Sequence, residues 1–434
     1  MERTRKNSKF YIALVIFGLV GQVAWVVENM YLNVFIYKMF HASAEQISFM
    51  VGASAVAATV TTLLIGALSD KVGKRKAFIC MGYILWGISI LGFALIREDW
   101  VHSQFFPLVS YNGAALSLCI HFTIALDCIM TFFGSSANDA AFNAWLTDST
   151  DETNRGRAEG LNAMMPLLAI LVVFGGFMGL NQDLQESWTI IFCVIGGVVL
   201  LLGVAGFFLI EDPKIKTEGN GNYFANIFYG FRPGVIRENP GLYVGLLVFG
   251  LFNIAIQIFM PYLILYYSVS LQMDNYVLIM APAILVAAVF TAVYGRVYDQ
   301  KGFAIAVVPA MALLMLGFGC LFLFRGTVMV FLGSLLMMCG YLSGMAVFGA
   351  LIRDCTPVNK AGMFQGLRIC FQVLIPGIIG PAVGAAVLKN AEQIVNSDGT
   401  TSFVPNENIF LAALIAAIVT AGALVPLCKT LKKR

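Results

Sequence analysis

Three ionisable side chains, Glu28, Asp139 and Arg368, fall within stretches otherwise apolar enough to cross a membrane. A charged group at the centre of a bilayer costs about 2.5–3.5 kcal/mol on insertion scales, so residues of this kind are retained for chemistry rather than stability. Glu28 stands among Gln22, Trp25, Asn29 and Asn33. Three- and four-residue spacing puts Gln22, Trp25 and Asn29 on one helical face, with Glu28 beside it. Trp25 offers a flat ring for stacking on a sugar, and the amides suit hydroxyl groups. Asp139, between Asn138 and Asn143, lies nine residues before Asp148, about 13 Å along a helix. A carboxylate there can hold Na⁺ with neighbouring amide oxygens, or take up a proton. Arg368, with Gln365 and Gln372 on the same face, can neutralise Asp139 or bind an anionic group. Plainer readings stand beside these: a solvated Glu28, a network that only stabilises its helix, and an arginine snorkelling to the interface. Asp127 lies about 18 Å further along its helix than Asp139, and with His121 it reads as a solvated end.

The elements that carry these groups follow from composition. Of 434 residues, 59% are apolar and 12% charged, roughly half the charge of a water-facing surface. That excludes an ordinary soluble enzyme. Runs long enough to cross about 30 Å of hydrocarbon can be laid out over Phe10–Tyr37, Gln46–Leu68, Ala77–Ile96, Leu116–Leu146, Gly156–Leu180 and Ser187–Ile210. A second set covers Leu242–Tyr267, Tyr276–Val297, Phe303–Phe324, Thr327–Leu351, Gly362–Leu388 and Ile409–Lys429. The expectation is an all-α integral membrane protein with twelve transmembrane helices. Ala42-Ser43-Ala44 mimics a signal-peptide cleavage site, but the apolar run before it is too long and contains Glu28, which favours a first span. Nine cysteines are spread singly and read as small apolar fillers.

Cytoplasmic loops retain lysine and arginine. With an inside N-terminus, 22 of the 27 basic residues fall on the cytoplasmic side, four (Lys38, Arg97, Arg325, Lys389) fall outside, and Arg368 remains within a span. Both termini are therefore expected in the cytoplasm. Two echoes relate the halves. Gly66-x-x-x-Asp70-x-x-Gly73 after the second span matches Gly295-x-x-x-Asp299-x-x-Gly302 after the eighth, and Asp148-x-Thr150 with Gly156 and Gly160 matches Asp354-x-Thr356 with Gly362 and Gly366. Six spans duplicated to twelve is a transporter architecture with the solute site between halves. The expected domains are residues 1–212, a linker 213–236 and residues 237–434. The first offset places Gln257 in span seven opposite Glu28, with Asn253 one turn before it. Tyr223–Phe231 in the linker is aromatic enough for an interfacial helix or an anchored linker.

The stretch Gly66-Ala-Leu-Ser-Asp70-Lys-Val-Gly73-Lys-Arg75-Lys resembles the signature between spans two and three of the major facilitator superfamily. Asn138-Asp139-Ala-Ala-Phe-Asn143-Ala-Trp145-Leu-Thr-Asp148, followed by Arg155-Gly-Arg157, is similar to its glycoside, pentoside and hexuronide cation symporter group. The resemblance implies the major facilitator fold, two six-helix pseudo-symmetric bundles with first spans lining a central cavity. It implies gating by Gly66, Asp70, Gly73 and Arg75, with Arg155 and the second-half Asp299. Gly66 and Gly73 would permit a close helix crossing, and Asp70 would accept from amides at the start of span eleven, near Lys360–Gly362. The second copy is degraded, since Gln300, Phe303 and Ala304 replace basic positions.

No phosphate-binding loop, dinucleotide fingerprint or H-E-x-x-H motif is present, so an energised process must draw on a gradient. The expected function is secondary active transport of a small polar solute, a sugar or glycoside foremost, by alternating access coupled to H⁺ or Na⁺. The expected solute residues are Trp25, Glu28, Asn29, Asn253, Gln257, Arg368 and Gln372, and the expected cation residues are Asp139, Asn138 and Asn143. No enzyme activity, resident cofactor or nucleic-acid partner is expected; a monomer in the cell membrane is. The alternative is an exporter of amphipathic compounds or a lipid carrier, which needs a largely apolar cavity. A receptor or scaffold would need a sizeable soluble module, and a membrane enzyme would need a recognisable catalytic set.

Overall fold

The computed structural model describes the chain except Met1 and residues 106–112, 151–154, 213–228, 274–275, 358–360, 397 and 433–434. The side chains of residues 2–8, 67, 70, 155–157, 159–160, 361–363, 365 and 432 are also left aside. The described residues are almost wholly helical. Eleven helices are long and apolar enough to cross a membrane: Lys9–Phe40, Ala44–Gly66, Arg75–Phe93, Gly113–Asp148, Gln185–Leu209, Pro240–Ser270, Val277–Lys301, Phe303–Leu323, Thr327–Cys355, Gly366–Leu388 and Asn408–Leu431. A shorter apolar stretch, Leu161–Phe177, takes the fifth place. Numbered in chain order, these are spans one to twelve. Many of their apolar side chains face outward, among them Phe208 and Val289, as a bilayer-facing surface requires.

The chain divides into two compact units, Met1–Ala42 with Val56–Tyr223, and Ser43–Ala55 with Phe224–Arg434. The beginning of span two thus packs with the second unit: Tyr262 Oη donates to Ala44 O at 3.0 Å, and a Cβ on Gly377 would lie 2.6 Å from that of Ala55.

With lipid as solvent, helices associate through close packing of small residues rather than by hydrophobic burial. In the first unit spans three and six meet at glycines: a Cβ on Gly87 would fall 2.5 Å from Leu200 N, and one on Gly203 2.6 Å from Ile84 N. In the second unit spans nine and ten do the same, with a Cβ on Gly340 2.3 Å from Leu314 N.

Among the described residues, four helices contain a π turn: Val27–Tyr31, Ser135–Phe142, Tyr266–Ser270 and Cys370–Leu374. Such turns add a residue to the local repeat and recur at functional sites. Beyond the helices, Gln393–Val395 pairs antiparallel with Thr401–Phe403. Of the aromatic linker stretch Tyr223–Phe231, residues up to 228 lie outside the described set. Tyr229–Phe231 is a 3₁₀ turn, with Tyr229 edge-on to Phe364 and Gly230 O accepting from Tyr243 Oη.

Candidate functional site

In the first unit the polar groups converge on span four. Thr123, Asp127, Thr131, Ser135, Asp139, Asn143 and Thr147 recur at intervals of four. In an α-helix each such step drifts about 40° around the axis. The π turn Ser135–Phe142, with its wider repeat, turns the row back the other way. The upper members are buried, Asp139 is half-buried, and Asn143 and Thr147 are exposed.

Glu28 lies on the π turn of span one and is 7% exposed; its Oε1 accepts from Thr131 Oγ1 at 2.9 Å. It is therefore not a solvated interfacial carboxylate. Asp127 corrects the expectation of a solvated end: it is 1% exposed, within electrostatic reach of Glu28, and its Oδ1 has no hydrogen-bond partner among the described residues. Depth along the helix misjudged it, because a residue near a helix end is still buried when neighbouring helices cover that face. His121, by contrast, is exposed, with Nδ1 2.6 Å from Ser117 O.

Asp139 Oδ2 accepts from Ser135 Oγ at 2.9 Å. The two asparagines do not complete a cation site with it. Asn138 is buried and donates to Tyr83 Oη at 2.8 Å, which in turn donates to Phe17 O. Gly21 makes room for that pair, since a Cβ there would lie 2.3 Å from Asn138 Nδ2. Asn143 donates to the backbone oxygen of Asp139, not to its carboxylate. Asn138 is thus a joint between spans one, three and four, and Ser135 is the Asp139 partner that sequence reasoning missed; its four-residue spacing was the available signal.

Trp25 packs on Trp86, centroids 5.0 Å apart and tilted 50°, against the bare backbone of Gly134. Neither indole N–H has an acceptor among the described residues. Asn29 is exposed and donates to Trp25 O, while Asn33 is buried and donates to Asn29 O.

At the other end of span four, Arg75 is 4% exposed. Its Nε donates to Asp148 Oδ2 at 3.0 Å and an Nη to Ser69 Oγ at 2.6 Å. Ser69 Oγ donates on to Gly66 O. Gly73 has φ 68°, the left-handed conformation that ends a helix at least cost with glycine. The expected close crossing does not explain Gly66, where, among the described residues, a Cβ would meet only Ala140 Cβ at 4.0 Å. The side chains of Asp70 and Arg155 lie outside the described set, as do Lys360 and the side chains of residues 361–362, the expected neighbours of Asp70.

In the second unit Asn253 is buried on span seven and donates to Phe249 O at 2.8 Å. Gln257, half-buried, marks a tight crossing with span eleven, since a Cβ on Gly380 would sit 2.4 Å from Gln257 Cβ. Arg368 Nε donates to Gln372 Oε1 at 3.1 Å, one partner on each side of the start of the π turn Cys370–Leu374. Asp299 is exposed. Its neighbour Tyr298 makes the polar contact instead, donating to Asp354 Oδ2 at 2.5 Å. Asp354 is the repeat counterpart of Asp148, so the duplication keeps the acid at the end of spans four and ten but exchanges its partner, arginine for tyrosine.

Comparisons with known proteins accord with this architecture. The family described as Major Facilitator Superfamily matches residues 10–381. Among solved structures, a mutant form of the nucleoside transporter NupG aligns with TM-score 0.70 at 13% identity, covering 96% of this chain and 99% of that one. A bacterial homologue of the human lysosomal transporter Spinster, inward-facing and occupied, aligns with TM-score 0.70 at 16% identity over 99% and 98%. The xylose transporter XylE from E. coli, in a partially occluded inward-open conformation, aligns with TM-score 0.67 at 13% identity over 95% and 97%. No curated sequence matches. At these identities the structural likeness speaks for the fold, while the family match covers most of the chain: the protein belongs to the major facilitator superfamily and is a membrane transporter, not an enzyme.

Proposed function

We propose that the protein carries a small polar solute, a sugar or glycoside foremost, by alternating access coupled to H⁺ or Na⁺. In this reading residues 1–212 and 237–434 are the moving bundles, 213–236 their joint, and the protein acts as a monomer in the cell membrane with both termini cytoplasmic. The observation that supports it best is the polar row of span four, which gathers Asp127, Asp139 and, through Thr131, Glu28 within one unit. Carboxylates kept at membrane depth cost free energy and are retained for handling an ion or a polar solute. Asp139 and Ser135 hold the coupling cation. Trp25, Glu28 and Asn29 serve the solute from the first unit, and Asn253, Gln257, Arg368 and Gln372 from the second. Arg75, Gly73 and Asp70 govern closure, with Gly66, Arg155 and Asp299.

The test is uptake of labelled sugars, glycosides and nucleosides into proteoliposomes, with a pH or a Na⁺ gradient imposed separately. Gradient-dependent uptake of a sugar or glycoside supports the reading. Uptake of lysolipid or dye with no gradient-dependent sugar uptake overturns it.

A further inference from the structure

Away from the polar row, the second unit carries a cleft of about 500 Å³ between spans nine and twelve. Its walls are Ala304, Val308 and Ala312 with Met311 and Met315 on span nine, and Ala421, Leu424 and Val425 on span twelve; Lys429 closes one end. The sequence explains the gap. Small residues stand where larger ones would interdigitate, and each wall has a proline inside its helix, Pro309 and Pro426, which removes a backbone hydrogen bond and bends the helix. Val308 is 59% exposed and Val425 57%, so the cleft opens on the side where a membrane protein meets lipid.

Three features determine the occupant. From Ala304 to Met315 the wall runs about 16 Å at the rise of an α-helix, the depth of one leaflet of a hydrocarbon core about 30 Å thick. The lining is aliphatic and thioether, with the Cys428 thiol next to Lys429. The end that would lie at the membrane surface is positive: exposed Lys429 stands there with the first turn of span nine, which has no acidic residue and no side-chain cap. A helix start of this kind favours an anion. The neighbouring charges are Lys301, exposed at the end of span eight, and the exposed Asp299.

We infer that this cleft is a site for an anionic phospholipid, one acyl chain lying between spans nine and twelve and the phosphate meeting Lys429 and the amides at the start of span nine. The inference does not depend on the solute or the coupling ion.

Native mass spectrometry of the whole transporter, released from detergent with palmitoyl-oleoyl phosphatidylglycerol or the matching phosphatidylcholine, tests it. The expected result is preferential retention of phosphatidylglycerol. Lys429→Gln should weaken that retention about fivefold, the effect of one basic residue at an anionic surface, with little change for phosphatidylcholine. Val308→Trp, on the exposed wall, should reduce both by filling the cleft. Equal retention of the two lipids, or retention unchanged by both substitutions, overturns the inference. So does a lipid-free dimer lost on Val308→Trp, which would make a second copy the occupant.

Discussion

Removing either partner of the Arg75–Asp148 pair should have unequal consequences, and the structure says which is worse. Arg75 is 4% exposed, whereas the Asp148 side chain is 27% exposed. Asp148→Ala takes the carboxylate from a buried guanidinium that keeps its bond to Ser69 Oγ, a cost at the low end of the range for breaking a buried pair, about 3 kcal/mol. Arg75→Met removes the buried charge itself. Asp148 then turns to water and Ser69 keeps its bond to Gly66 O, so the loss is about 1 kcal/mol, that of a hydrogen bond. A difference of about 2 kcal/mol corresponds to roughly 4–8 °C in the melting temperature of a unit of this size. The double variant has no buried guanidinium and should resemble Arg75→Met alone, about 3 kcal/mol short of additivity. Thermal unfolding in detergent, followed by tryptophan fluorescence, measures all four proteins. Arg75→Met as damaging as Asp148→Ala, or additive effects in the double variant, would refute the reasoning.

Other outcomes follow from the same geometry. Asp139→Asn should abolish gradient-driven accumulation while leaving solute binding intact, and Ser135→Ala should weaken accumulation without abolishing it; normal accumulation in Asp139→Asn would remove that residue from coupling. Asp127→Asn should impair accumulation while His121→Ala leaves it unchanged, and the reverse order would restore Asp127 to the solvated surface. Gly340→Ala should destabilise the second unit by about 1–3 kcal/mol through overpacking, because its Cβ would lie 2.3 Å from Leu314 N, whereas Gly319→Ala, with nothing within 4 Å, should be neutral or stabilising in unfolding assays.

Much of this was legible in the sequence because membrane helices must satisfy their backbone internally, so long apolar runs are helices. The span order, the duplication and the burial of Glu28 came from that source. What one sequence conceals is which face of a helix is covered. Asp127 was misjudged by depth alone, although its spacing from Thr131 already placed both on one face. Asn138 was credited with a cation because it neighbours Asp139, but adjacent residues on a helix point about 100° apart, and it faces Tyr83 instead. The π turns left no signal in apolar periodicity, and they re-aim Glu28, Asp139 and Gln372. The resemblance assigns the glycines of the second-span signature to close crossing, yet Gly73 answers to its φ and Gly66 meets no close neighbour among the described residues.

The central claim is that solute and ion move together through a path that uses the carboxylates of the first unit. Proteoliposomes loaded with a pH- or Na⁺-sensitive dye, challenged with each sugar of the panel and no imposed gradient, test it most directly. One sugar or glycoside should drive inward H⁺ or Na⁺ movement, lost in Asp139→Asn. Solute entry with no accompanying ion, or ion movement unchanged in that variant, would contradict it.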